Sequence, residues 1–269
     1  MQPVTAPPAP DILYLDDHLV VVHKPADLLV HRSPIDRRET RFALQLVRDL
    51  IGRRVYPVHR LDRPTSGALL FGLTPETAQT LCQSFIHGEV AKTYLAVVRG
   101  VTAAEGFIDY PLIEEPDRIA DPFAAPGKEA QTAVTGYRWL AGTELPFAVG
   151  RHPTSRYSLV EAHPRTGRRH QLRRHFKHIF HPIIGDTKYG EGRHNRLFRE
   201  AFDCRRLLLA AVELTFPHPA SGRPLTVCAP PEASFSGLMM ARGTAGTLAS
   251  VNPTASPPPM RPRAFRAIL

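Results

Sequence analysis

Short apolar runs, separated by turns rich in proline and glycine, are the feature that most limits the fold of this chain. Runs of about four to eight residues between turn signals predict strands. They lie at residues 12–15, 19–22, 68–71, 93–98, 132–139, 157–162, 207–212 and 225–228. Helical spacing of apolar residues predicts helices only at 41–50, after Thr74, and from Arg168 to His178. Many strands with few helices indicate an α+β domain with a mixed, largely antiparallel sheet flanked by helices and loops.

One loop precedes the most apolar of these runs, Ala68–Phe71. Its sequence is His59-Arg60-Leu61-Asp62-Arg63-Pro64-Thr65-Ser66-Gly67. Proline and glycine indicate a tight loop, so Asp62 is presented at the mouth of a buried strand, where catalytic groups are commonly held. Two interpretations stay open here: a carboxylate with a chemical role, and an ion pair with a neighbouring arginine that closes the loop.

The charge of the chain points to a polyanionic partner. The 269 residues carry a net charge of +9, which favours nucleic acid over a membrane surface. Lysine and arginine are densest between residues 151 and 178, where Glu161 is the only acid. Most of the excess charge therefore lies in this stretch.

Cysteine usage and hydropathy indicate the compartment. Cys82, Cys204 and Cys228 are far apart and form no CxxC pair, so we expect neither a disulfide framework nor a zinc ribbon. No apolar run approaches the roughly 18 residues that span a bilayer, and the N-terminal residues do not resemble a signal peptide. We expect a cytoplasmic protein with no membrane partner.

The composition divides the chain into three parts. Residues 1–10 are rich in proline and alanine and predict a flexible N-terminus. Residues 11–240 carry all the predicted elements and form one domain. Residues 241–269 lack hydrophobic periodicity and predict a disordered, basic Pro/Ala-rich tail.

Several other classes of site are disfavoured. His170, His175, His178 and His181 cluster, but HExxH and a nearby acid are missing and arginines repel a cation, so we expect no metal. There is no Walker lysine motif, no GxGxxG, and no second marked acid for a glycosidase pair. What remains is Asp62 in an arginine-rich setting: a poor general base when ionised, but a possible nucleophile.

Four motifs resemble those of the RluA-type pseudouridine synthases, which isomerise uridine in ribosomal and transfer RNA. They occur in the family's order, and the resemblance covers about residues 12–230. They are His59–Asp62 with Thr65–Gly67 (HRLDxxTSG), Lys92–Ala96 (KxYxA), Gly167–His175 (GRxHQxRxH) and Ile184–Gly190 (GDxxYG).

Four further stretches resemble the TruC-type branch of this family, whose members isomerise uridine 65 in the T-stem of tRNA. They are Leu29–Ser33, Arg60–Gly67, Ile119–Phe123 and His175–Asp186. Many relatives carry an N-terminal S4-like RNA-binding domain, which we do not expect here. The core and its basic helix are then expected to supply the affinity for RNA.

The resemblance implies a catalytic set of Asp62, Tyr94 and Arg173. Asp62 is the essential carboxylate, Tyr94 packs on the base and is a candidate acceptor of the C5 proton, Arg173 pairs with Asp62, and Arg60 fills the space left by the flipped base. Whether Asp62 attacks the sugar, attacks the ring or removes a sugar proton stays open. The expected substrate-binding residues are His59, Arg60, Arg63, Lys92, Arg168, Arg169, His170 and Gln171, whereas Asp186 and Tyr189 are expected to be structural.

The resemblance also implies partners and cofactors. An isomerisation has no net redox change, so we expect no cofactor. We expect tRNA as the substrate and a monomeric enzyme. A ribosomal RNA substrate and a non-catalytic RNA-binding module on the same fold remain as alternatives.

Overall fold

A computed structural model describes residues 8–32, 39–114 and 129–240. The tail at 241–269, most of the N-terminal segment and the stretch Ile119–Phe123 lie outside these residues. The strands are β1 (Asp11–Leu15), β2 (Leu19–Lys24), β3 (Tyr56–Pro57), β4 (Ser66–Gly72), β5 (Ala91–Arg99), β6 (Glu105–Asp109), β7 (Val134–Leu145), β8 (Ser155–Pro164), β9 (Leu209–Pro217) and β10 (Pro224–Cys228). The helices are α1 (Ala43–Ile51), α2 (Pro75–Ile86), α3 (Gln171–His178), α4 (Gly192–Phe202) and α5 (Ala233–Met240).

The strands form one sheet in the order β1-β2-β4-β9-β5-β8-β7-β6, with β10 beside β9 and β3 beside β4. Every pairing is antiparallel except the short parallel contact between β4 and β9. The predicted α+β class with a largely antiparallel sheet is confirmed. The parallel contact places the loop before β4 in the middle of the sheet.

Alternating residues of the central strands pack against helices on both faces of the sheet, as the two-residue period of a strand requires. Val20 and Val22 of β2 share a core with α1, whereas Leu19 and Val21 lie in a core with Leu81 of α2. The same division continues along β5. Its Val97 packs in a core with residues of α4 and α5, and Ala96 and Val98 pack in a core with α3.

The predicted helices form close to where the sequence places them. The Thr74 hydroxyl accepts a hydrogen bond from the backbone N–H of Thr77, and Pro75 occupies the first turn of α2, so this N-cap is confirmed. α3 begins at Gln171, three residues later than predicted. The sequence analysis did not predict α4, α5, β3 or β6.

None of the described helices combines the length and the apolar character needed to cross a membrane.

Candidate active site

The loop that carries Asp62 is held from three sides. Its own backbone closes a turn, in which the N–H of Thr65 donates to the carbonyl of Asp62 (3.0 Å). The ammonium of Lys24, at the end of β2, donates to the carbonyl of Arg63 (3.1 Å). The buried Arg206 donates from Nη2 to the hydroxyl of Ser66 (2.7 Å). These bonds fix the loop from Asp62 to the start of β4.

A row of paired residues across the sheet sets the position of Tyr94. Gly67 of β4 pairs with Ala211 of β9, and Ala211 pairs with Tyr94 of β5. Gly67 has φ +117°, and a Cβ there would lie 2.0 Å from the carbonyl oxygen of Ala211, so only glycine permits this approach. An irregularity between Thr93 and Tyr94 interrupts the register, and such bulges turn a side chain to a new direction.

Arg173 lies between two carboxylates. Its Nη1 donates to Oδ2 of Asp62 (3.1 Å), while Nε and Nη2 donate to Oδ2 and Oδ1 of Asp186 at 2.7 and 2.9 Å. The Asp186 side chain is 1% exposed and that of Asp62 is 20% exposed. The two hydrogen bonds to Asp186 therefore fix the position of the guanidinium. Its Nη1 orients the carboxylate of Asp62, which solvent or a ligand can reach.

The ionisation of this group follows from its surroundings. Burial alone would lower the pKa of Arg173, but its hydrogen bonds to Asp186 and the charges of both carboxylates raise it. Burial would raise the pKa of Asp186, but hydrogen bonds from Arg173 and from the backbone N–H groups of Tyr189 and Lys188 hold it below its usual value. The guanidinium and the buried carboxylate are thus both charged at neutral pH.

His170 stands at the start of α3 and faces Asp62. It adopts the left-handed conformation (φ +55°), which is uncommon outside glycine. Its Nε2 lies 3.8 Å from Oδ1 of Asp62, and its Nδ1 lies 3.0 Å from the hydroxyl of Tyr189. Burial, with the charges of Arg173, Arg169 and Lys188, lowers the pKa of His170 to about 4 against the opposing effect of Asp62. The imidazole is therefore neutral at physiological pH.

Tyr94 is half-buried and packs against two of the hydrophobic cores. Burial, and then the negative charge of Asp62, raise the pKa of Tyr94. The neutral phenol is therefore the form present at neutral pH. This phenol can pack on a base and form hydrogen bonds, but it is a poor proton acceptor.

The arginines expected to bind the substrate differ in their exposure and in their contacts. Arg60, Arg168 and Arg169 are exposed. The guanidinium of Arg63 donates to Glu39 (2.8 Å) and to the carbonyl of Asp27 (3.2 Å), so Asp62 pairs with Arg173 of α3 and not with Arg63.

Lys92 lies on β5, two residues before Tyr94. Its Nζ donates to the carbonyl of Thr166 (3.4 Å), and burial lowers its pKa. This contact ties β5 to the loop that leads into α3.

Two other expected ligands take part in the fold. The Nε2 of His59 accepts the N–H of Leu70 (3.0 Å), the ring stacks on Phe85, and burial lowers its pKa to about 3. Gln171 is buried; its Nε2 donates to the carbonyl of Val134, and its Oε1 accepts from the backbone N–H of Arg168. Both residues contact the loops that carry the exposed arginines.

Three residues that the sequence analysis did not place in the site support it. Asp186 was expected only in a structural loop, and Lys24 and Arg206 were not singled out. A lysine in a buried apolar strand was a usable signal, because an unpaired ammonium is costly there. The partners of Asp186 and Arg206 are distant in sequence, so no local pattern identifies them.

The described ranges contain no group of three or more His, Cys, Asp or Glu side chains that could hold a metal ion.

Comparison with known proteins places the chain in a family. A family model described as RNA pseudouridylate synthase matches residues 18–178, which include Asp62, Tyr94 and Arg173. The tRNA pseudouridine synthase C of Pectobacterium carotovorum is 55% identical over 88% of this chain, which spans 63% of that protein. The tRNA pseudouridine synthase C of Vibrio cholerae is 53% identical over 85% of this chain and 94% of its own length.

Solved structures agree. Human RNA pseudouridylate synthase domain containing 1 aligns with a TM-score of 0.67 and 25% identity over 93% of this chain and 94% of its own length. Human RNA pseudouridylate synthase domain containing 4 aligns with a TM-score of 0.64 and 26% identity over 84% of this chain and 90% of its own length. By sequence and by fold, this chain belongs to the RNA pseudouridylate synthase family.

Proposed function

We propose that this protein isomerises uridine to pseudouridine in tRNA, at uridine 65 of the T-stem. The observation that carries the proposal is the Asp62–Arg173–Asp186 arrangement, in which one partly exposed carboxylate is oriented by an anchored arginine. Relatives that are more than half identical over most of this chain carry the name tRNA pseudouridine synthase C. Their name supports tRNA as the substrate class.

The proposed reaction uses the carboxylate of Asp62 while the bond between the base and the sugar breaks. The detached base turns, a bond forms between its C5 and the sugar carbon, the C5 proton leaves, and N1, which lost its bond to the sugar, gains a proton. The anionic oxygens of Asp62 can act as a nucleophile or accept a proton from the sugar. The anchored guanidinium of Arg173 keeps them aimed at one position, which is the main requirement for such a group.

The proposed roles of the other residues follow from their placement. The half-buried phenol of Tyr94 forms a platform for the flipped base beside Asp62. Exposed Arg60 is free to enter the stem and offset part of the few kcal/mol that base flipping costs. We assign phosphate contacts to the exposed Arg168 and Arg169. His170 is assigned to the wall of the base pocket.

The proposed setting is a monomer in the cytoplasm. Cys82, Cys204 and Cys228 are free thiols, which suits a reducing compartment. We also propose the domain limits given above, with residues 11–240 as the catalytic unit.

The test is pseudouridine mapping on defined RNA. Unmodified tRNA transcripts with uridine or cytidine at position 65, and ribosomal RNA fragments, are incubated with the protein and with Asp62→Asn. Pseudouridine at position 65, dependent on Asp62, is the expected result. Modification of ribosomal RNA alone would show that the substrate is ribosomal RNA and not tRNA. RNA binding without any product would identify a non-catalytic RNA-binding module.

A further inference from the structure

Three arginines of α4 present a charged face outside the site described above. Arg193, Arg196 and Arg199 are exposed and lie three residues apart, so they share one side of the helix. Their side chains have no hydrogen bond or ion pair with any residue of the described ranges. The acid Glu200 is also exposed on this helix, but it does not line the cavity discussed below. We call Arg193, Arg196 and Arg199 the arginine face of α4.

Buried contacts hold this face in a fixed orientation to the active site. Asn195 accepts the N–H of Gly185 and donates to the carbonyl of Asp186, both at 2.8 Å. The adjacent His194 is also buried, and its Nδ1 lies 2.7 Å from the hydroxyl of the buried Tyr157. Since Asp186 also holds Arg173, α4 and the catalytic carboxylate are tied to the same residue.

A cavity of about 780 Å³ extends from Asp186 along α4 and is lined by the whole arginine face. The two acids in its wall are neutralised by other arginines. Asp186 is paired with Arg173, and Glu191 is paired with Arg99. The unpaired charge of this cavity is therefore positive, and it begins at the residue that supports the active site.

We propose that the arginine face of α4 binds phosphates of the tRNA strand that runs on from the flipped nucleotide. This proposal rests on the proposed function and extends it to residues beyond the segment matched by the family model. Side chains three residues apart on a helix have Cβ atoms about 5–6 Å apart. That spacing is similar to the spacing of successive phosphates along one RNA strand, and guanidinium groups bind phosphate through two parallel hydrogen bonds.

The test compares two variants that remove the same charge. Arg193→Gln/Arg196→Gln/Arg199→Gln removes the face, and Arg53→Gln/Arg54→Gln/Arg223→Gln removes three exposed arginines that line neither the cavity nor the candidate site. The dissociation constant for a tRNA transcript is measured from low to high salt. The rate of pseudouridine formation is measured in single turnover at limiting and at saturating protein.

We expect the first variant to bind tRNA about 10- to 100-fold more weakly near physiological salt. Its log–log salt slope should fall by about 2 to 3, since each lost phosphate contact removes about 0.7–0.9. The substitutions should change the dissociation constant more than the single-turnover rate at saturating protein. The control variant should change neither quantity by more than about twofold. Arg196→Gln alone should lower the slope by about one, which keeps the test valid if the triple variant melts early.

Equal losses in both triple variants would show a general effect of charge and overturn the proposal. Unchanged binding by the first variant would overturn it as well. The unsubstituted protein decides the proposed function separately: if it makes no pseudouridine in any tRNA, that function fails, whereas the salt slopes still decide whether the arginine face binds RNA.

Discussion

Arg173 reaches Asp62 through one hydrogen bond of 3.1 Å, from Nη1 to Oδ2, across 111 positions of sequence. The Nε and Nη2 of the same guanidinium donate to Asp186. The arginine is thus a bridge between a buried, fully occupied carboxylate and a reachable one.

Asp62→Asn should lower the single-turnover rate of pseudouridine formation at least about a thousandfold, because the amide keeps the shape but has no anionic oxygen. Binding of tRNA should stay within a few-fold of the unsubstituted protein. Asp49→Asn, which removes an exposed acid on α1, is the control for the change in net charge. A rate for Asp62→Asn within tenfold of the unsubstituted rate would remove Asp62 from the chemistry.

Asp186→Asn should slow the same step by about 10- to 100-fold although Asp186 is nearly inaccessible, because an arginine that loses its bidentate partner no longer fixes the position of Asp62. Arg173→Lys keeps the charge but not the planar fork and should lose a similar factor. The two effects should not add in the double variant, since both act through one bridge. Fully additive losses would contradict a shared role.

The single-turnover rate of pseudouridine formation should show no step from a histidine ionisation between about pH 5 and 6.5, although His170 faces Asp62. Its pKa is lowered to about 4, so the ring is neutral through this range. His59, with a pKa lowered to about 3, is neutral as well. Rates are measured in single turnover at saturating protein. A step near pH 6 that disappears in His170→Asn would show that the imidazole titrates during catalysis.

Lys24→Met should destabilise the fold by about 2–4 kcal/mol, because it leaves three carbonyls without their donor. They are those of Pro25 and Leu28 at 2.8 Å and Arg63 at 3.1 Å, around an ammonium with no exposed surface. For a chain of this size the melting temperature should fall by about 5–15 °C. Melting within 2 °C of the unsubstituted protein would contradict this role.

The same lysine gives a pH dependence of stability. Burial lowers the pKa of Lys24 to about 7 from 10.5, so between these values the unfolded chain binds more protons than the native one. Stability from this group should therefore rise with pH across that window. Between pH 7 and 9 the unsubstituted protein should gain about 1–2 kcal/mol relative to Lys24→Met. Denaturant unfolding at several pH values measures the difference in free energy of unfolding between the two proteins. A difference that does not change with pH would show that the pKa of Lys24 is not lowered.

Truncation after residue 240 should leave the melting temperature and the single-turnover rate unchanged, in line with the proposed domain limits. Truncation after residue 230 should damage both. It removes Phe235, which is fully buried, and Glu232, which pairs with Arg206 and accepts the N–H of Ala26 (3.1 Å). Equal melting temperatures of the two truncated proteins would show that α5 does not stabilise the core.

Local patterns predicted most of the strands and the start of α2 because apolar alternation and capping are short-range signals. They missed α4, where Gly192 opens a segment rich in arginine and histidine. The side of α4 that packs on the core carries Leu197, Phe198 and Phe202. It also carries the buried polar residues His194 and Asn195, so the apolar stripe is short. α5 was missed because it is short and its polar and apolar residues show no clear helical periodicity.

For the site, the sequence predicted Asp62, Tyr94 and Arg173, whereas the supporting residues Lys24, Asp186 and Arg206 and all the contacts depend on the fold. The pairing of Asp62 with Arg173 could be expected only from the resemblance, since they are far apart in sequence. The bridging role of Asp186 and the anchor from Arg206 to Ser66 depend on how β9 and α3 meet β4. No spacing rule contains that information.

The parallel contact between β4 and β9 also has a consequence for the synthesis of the chain. Ser66 receives its anchor from Arg206, 140 positions later, and Gly67 receives its neighbour from Ala211. A ribosome will therefore have translated Asp62, Tyr94 and Arg173 long before the loop that carries Asp62 can be fixed. A nascent chain that ends before β9 holds every proposed catalytic residue and yet has no assembled site, so activity begins only when the last strands join the sheet.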